Sequence, residues 1–127
     1  MGDNKPKELT MLPLIRAHFC ESLAPLAGLQ RSANDLFLLG LLSAVDAILD
    51  MKMQGVVHEI AIGDEIRGAL LKEKNKLRDI FDLALKYEMG CWDALAADAR
   101  RLRIPENGIP ELYVSSVEWA RSLLSSS

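Results

Sequence analysis

The sequence predicts an all-α fold, a compact bundle of about six or seven helices, on three observations. Apolar residues recur at helical spacing along most of the chain. The apolar–polar alternation of a half-buried strand is nowhere sustained. With 127 residues, 50% of them hydrophobic, the chain is long enough for one core and too short for two comfortable ones, so residues 1–127 are expected to form a single helical domain.

Taken in order, the first helix is expected from about Pro6 through "KELTMLPLIRAHFCESLA", with Leu12, Ile15, Phe19, Leu23 and Leu26 on one stripe. Pro13 should kink it or mark its true start, and Pro25 and Gly28 close it. Ser32, with Asp35 three residues later, offers a capping-box-like start to the second helix, "LFLLGLLSAVDAILDM", Leu36 to Met51. In "MQGVVHEIAI", Gly55 and Gly63 limit the segment to a brief helix between turns. Asp64 to Leu71 reads as another short helix, and "KEKNK" as a solvated connector. Leu77, Ile80, Phe81, Ala84 and Leu85 then follow the spacing i, i+3, i+4, i+7, i+8, ending on Gly90 as a helix terminator. Trp92, Leu95, Ala96, Ala99 and Leu102 repeat the pattern before the turn-rich "RIPENGIP". From Pro110, a last stripe runs through Leu112, Tyr113, Ser116, Val117, Ala120 and Leu123 to a frayed "SSS".

Charge and composition exclude several functions. The net charge is −3 with acids and bases interleaved, so no global field draws the chain to nucleic acid or to an anionic membrane. The basic stretches Lys72–Arg78 and Arg100, Arg101, Arg103 have acidic neighbours and no interleaved aromatics to stack on bases. The uncharged run between Asp35 and Asp46 falls well short of the roughly 20 residues that span a bilayer. No secretory segment follows "MGDNKPKE", and Cys20 and Cys91 stand outside any CxxC pattern, which predicts a soluble, cytoplasmic protein with two reduced, mostly buried thiols.

No catalytic, cofactor or metal site is legible. "HEIAI" begins like a zinc-protease helix, but Ile62 stands where the second histidine would have to be. His18 and Cys20 are two positions apart and so point to different sides of a helix. "GLLSAVD" lacks the second glycine of a nucleophile elbow, and Gly40, Ser43, Ala44 and Ala47 read more simply as small residues at a close helix crossing. Convergence of Asp46, Asp50, Glu59 and Glu88 as paired carboxylates stays open. Glu88 falls on the next step of the stripe that contains Leu85, and Arg16 interrupts the apolar first helix, so the two are the expected structural ion pair.

The second helix poses a different problem, since Ser32, Asp35, Ser43, Asp46 and Asp50 leave it a single narrow polar stripe, broken by Leu39. A helix apolar nearly all round must be covered on several sides. Leu36, Leu39, Leu42 and Asp46 are therefore the expected interaction surface, and a homodimer through the first or second helix is expected, burying roughly 1,200 Å² or more.

Several phrases in order, "KPKELTMLPLIRAHFCESLA", "LFLLGLLSAVDAIL", "IRGALL", "ALKYEMGCWDAL" and "ELYVSSVEWA", resemble the C-terminal portion of an HDOD domain, in the form found behind EAL domains in bacterial signalling proteins. The departures are Pro13 within the first helix and His18 where arginine is expected. The resemblance implies an all-helical fold like that of the HD phosphohydrolase superfamily without its metal-binding His-Asp pair, and the sequence contains no such dipeptide. It implies a non-catalytic module of signal transduction, without cofactor, whose partner is protein, either a neighbouring EAL domain or a second copy. It also implies that the family's preceding helices, and any EAL domain, would lie upstream of Met1. The alternative is a residual HD-type phosphohydrolase or a nucleotide- or metal-binding domain using Asp46, Glu88 and Arg16.

Overall fold

The computed structural model describes residues 4–45, 52–59 and 61–125, with the backbone alone for residues 4–9 and 59. Among them are seven α-helices and no strand: α1 (Asn4–Leu23), α2 (Ala33–Leu42), α3 (Met53–Glu59), α4 (Asp64–Leu70), α5 (Lys76–Met89), α6 (Trp92–Leu102) and α7 (Ile109–Ser125). Short 3₁₀ turns at Pro25–Ala27, Gln30–Ser32 and Glu106–Gly108 join them.

Helix α1 is the axis of the molecule, touching α2, α5 and α7. Cover on three sides explains why Pro13, Ile15, Ala17, Phe19, Cys20 and Leu23 are all buried, a distribution wider than one stripe. The expected stripe needs correction at Leu12, which is about half exposed while Pro13 and Ile15 beside it are buried. Pro13 does not mark the start, since the helix begins at Asn4 and continues through it. Gly28 ends the following turn at φ 75°, a left-handed conformation that suits glycine.

Helix α2 begins at Ala33, three residues before the expected Leu36, and its regular part ends at Leu42. The expected continuation over residues 46–51 lies outside the described residues. Ser32 does precede the helix, but its side chain makes no capping bond. It closes a 3₁₀ turn with ψ 8°, not the extended geometry that aims a hydroxyl at the next amides. The α1–α2 crossing is close: a Cβ on Gly40 would lie 2.8 Å from the Ala17 Cα and 2.9 Å from the Arg16 carbonyl oxygen. A small residue is obligatory there.

The remaining helices form where the spacing places them. α3 carries Val56 and Val57 inward, and α4 carries Ile66, Ala69 and Leu70. Asn75 caps α5 by accepting from the Arg78 amide at 2.8 Å, and Gly90, at φ 71°, ends it. Leu77, Ile80, Phe81, Leu83 and Ala84 of α5 join Phe19, Leu23, Leu36, Leu39, Leu95 and Ile109 in one hydrophobic cluster. Burying each large side chain contributes roughly 1.5–3 kcal/mol, so this cluster is what fixes the helices around α1.

Candidate functional site

The polar centre of the molecule is built by three helices. Arg16 projects from the middle of α1, Glu88 from the last turn of α5 and Ser43 from the end of α2. Arg16 Nη2 donates to Glu88 Oε1 at 2.8 Å, and its Nε lies 3.0 and 3.2 Å from the two carboxylate oxygens. Its Nη1 donates to Ser43 Oγ at 3.1 Å, and that hydroxyl donates on to the Gly40 carbonyl at 2.7 Å. The two charged side chains are only 16% and 11% exposed. Two residues that each interrupt an apolar helix face thus satisfy one another, at the side where α1, α2 and α5 meet.

This environment sets the chemistry of its neighbours. The hydrogen bond to Glu88 raises the Arg16 guanidinium above its ordinary range, against the opposing effect of burial. Burial pushes the Cys20 thiol up to about 12, with Glu88 adding to the effect and Arg16 opposing it. Burial also raises the Tyr113 phenol, again helped by Glu88. Cys20 is therefore a protonated, wholly buried thiol rather than a nucleophile. Cys91 corrects the expectation of two buried thiols: it precedes α6 at the surface and is exposed. Both cysteines are free.

The expected interaction residues of α2 need the same kind of correction. Leu36 and Leu39 are fully buried and Leu42 nearly so, because α1, α4 and α5 all pack on this helix. The chain's own helices occupy them, and they offer no surface to a partner. Asp46 and Asp50 lie outside the described residues, and of Glu59 only the backbone is described. No group of three or more metal-ligating side chains occurs among the described residues. No helix among them is long and apolar enough to cross a membrane.

Two polar arrangements escaped the sequence reading. His18 stacks on Trp119 with ring centroids 4.6 Å apart, and its Nδ1 lies 2.8 Å from Ser116 Oγ. Ser116 donates its proton to the Leu112 carbonyl, so the imidazole Nδ1–H is the donor to Ser116. Burial holds His18 below its ordinary pKa, against the pull of Glu21. Asp98 is buried on α6 between Lys86 and Arg101. Burial alone would raise its carboxyl, but hydrogen bonds and charge from Lys86 and Arg101 hold it below the usual range. Its position on the stripe Leu95, Asp98, Ala99, Leu102 was the signal that could have revealed it.

The most exposed large apolar side chains among the described residues lie elsewhere than α2. Met89 is 72% and Trp92 58% exposed at the α5–α6 junction, and Trp92 presents an edge-on contact to Tyr87 at 5.5 Å. Tyr87 in turn packs on Tyr113 and Phe19, so a chain of aromatic rings runs from the core to this surface.

No family model and no solved structure matches the chain. Two curated proteins do, each aligning over 123 residues and 97% of the chain. One is the cyclic di-GMP phosphodiesterase CdgJ of Vibrio cholerae, 25% identical. The other is the uncharacterized protein YuxH of Bacillus subtilis, 28% identical. The chain spans 28% and 29% of their respective lengths, less than a third of the relatives it matches. The chain is thus similar to bacterial proteins, one of them named as a cyclic di-GMP phosphodiesterase.

Proposed function

We propose that the chain is an HDOD-type regulatory module of cyclic di-GMP signalling that is not itself catalytic and acts by binding protein through the α5–α6 junction. The carrying observation is the exposure of Met89 and Trp92, three positions apart at the α5–α6 junction, with the Trp92 ring in edge-on contact with Tyr87. An exposed tryptophan close to an exposed methionine is the composition of a protein-binding anchor, where aromatic side chains contribute most of the affinity. The likeness to CdgJ supports the signalling context, and the match to less than a third of its length supports a segment that works beside other parts of such a protein. The partner in this reading is a neighbouring phosphodiesterase domain of the EAL kind.

The Arg16–Glu88 pair supports a structural rather than a catalytic use of the polar centre. Both carboxylate oxygens are engaged by the guanidinium, and their side chains are almost enclosed. A carboxylate so held is not poised to take a proton from a substrate.

Purified chain mixed with cyclic di-GMP and either Mg²⁺ or Mn²⁺ should give no hydrolysis. The same chain should bind CdgJ lacking its matching segment, and Trp92→Ser should weaken that binding about tenfold or more, as loss of a central aromatic anchor does. Turnover by the chain alone, or undiminished binding by Trp92→Ser, overturns the reading.

A further inference from the structure

We propose that a cleft bordered by α1, α3, α4 and α5 binds a small organic phosphate. It holds about 230 Å³, and Arg16, Lys72, Arg78 and Ser43 bring polar groups to its wall over an apolar floor that includes Leu70 and Phe81. The carboxylates that pair with the two arginines, Glu88 and Asp82, are not part of the described wall. The charged groups among the described lining residues are thus two ion-paired arginines and Lys72, a lysine with no ion-pair partner among the described residues.

The arginines are held in place before any ligand arrives. Arg78 Nε pairs with Asp82 at 2.9 Å, its Nη1 donates to the Ala69 carbonyl at 2.8 Å, and its guanidinium lies 5.0 Å over the Phe81 ring. Its Nη2 donors have no partner among the described residues. Arg16 spends Nε and Nη2 on Glu88 and one Nη1 hydrogen on Ser43, leaving N–H groups over. Planar donors fixed in this way match the oxygens of a phosphate at little ordering cost.

Lys72 adds the third charge from an unusual backbone. It is the residue after the C-cap of α4, with φ 71°, where the Glu73 amide donates to the Gly68 carbonyl at 2.8 Å and the Lys72 amide to Ala69 at 3.1 Å. Glycine fills such a helix ending without the steric penalty a side chain carries. A cation there gains something from the helix C-terminus, and Lys72 also lines the cleft, with no ion-pair partner among the described residues. Lys72, Leu70 and Met53 further border an adjoining cleft of about 420 Å³, which gives room for the organic part of the ligand. The site does not depend on the protein-binding reading above.

Calorimetric titration of the chain with inorganic phosphate and, separately, adenosine 5′-monophosphate at matched ionic strength tests the proposal. Both should bind saturably, the nucleotide more tightly. Lys72→Gly should weaken both by roughly tenfold or more, the effect of one charge-assisted hydrogen bond, while its melting temperature holds or rises. Lys72→Gln, which keeps the backbone and loses the charge, should weaken them equally. Absence of saturable binding by both probes, or unchanged binding in either variant, overturns the site, and a nucleotide that binds no more tightly than phosphate overturns the organic part of the assignment.

Discussion

Replacing Glu88 by alanine is the most direct test of what holds the three central helices together. The variant strands an Arg16 guanidinium whose side chain is 16% exposed, and removes its contacts at 2.8, 3.0 and 3.2 Å. The two Nε contacts share one hydrogen, so the loss amounts to two charge-assisted hydrogen bonds, each contributing roughly 1.5–3 kcal/mol. That sum agrees with the roughly 3–5 kcal/mol seen when one member of a buried pair is removed. Because some water reaches Arg16, the lower end applies, about 3 kcal/mol. For a domain of this size that is a fall in Tm of roughly 10 °C. Urea unfolding with an unchanged m-value measures it. The companion variant Arg16→Met with Glu88→Leu removes both charges and should regain most of the loss, giving a coupling of about 2 kcal/mol or more in the double-mutant cycle. A loss under about 1 kcal/mol for Glu88→Ala, or a coupling near zero, would refute the reasoning.

Three further outcomes follow from the same geometry. Gly40→Ala drives a methyl group to 2.8 Å from the Ala17 Cα, so it should destabilise by about 1–3 kcal/mol or more despite alanine's better helix propensity, and a variant as stable as the parent in thermal unfolding would contradict the crossing. His18 has a pKa lowered in the fold, so the unfolded chain takes up the proton first; stability is fully present above about pH 6.5 and is lost as pH falls through that value toward the lower folded pKa. Urea midpoints across this range should fall with acid in the parent and less so in His18→Gln, and equal slopes would remove His18 as the cause. Native chain should expose one thiol to a bulky disulfide reagent, Cys91, and yield Cys20 only on unfolding; two fast thiols would contradict the burial of Cys20.

Much of the fold was legible because its causes are local. The spacing of Leu77, Ile80, Phe81 and Ala84, and the glycine at position 90, place α5 and its end without reference to any other helix. Gly55 did not prevent the brief helix α3, and the α4 segment formed where its apolar spacing put it. Arg16 and Glu88 were conspicuous for the same reason, as charges set on apolar faces. Leu12 was misjudged because the stripe that contains it says which side of a helix is apolar and not which side has neighbours. Ser32 was misjudged as a capping side chain because the preceding 3₁₀ turn, and not the residue type, fixes where its hydroxyl points.

The sequence by itself determined that this chain is helical, where most of its helices lie and that a close crossing would occur near Gly40, since periodicity, turn residues and side-chain size act within a few residues of one another. Only the tertiary structure decided that α1 is the axis, that Leu36, Leu39 and Leu42 of α2 are buried within the chain, and that the most exposed large apolar side chains among the described residues are Met89 and Trp92. It also joined His18 to Ser116 across 98 positions and Arg16 to Glu88 across 72. A helix that is apolar on most sides has no preferred partner in its own spacing; the choice is made by which neighbours can approach at once, and that depends on the packing of the whole chain.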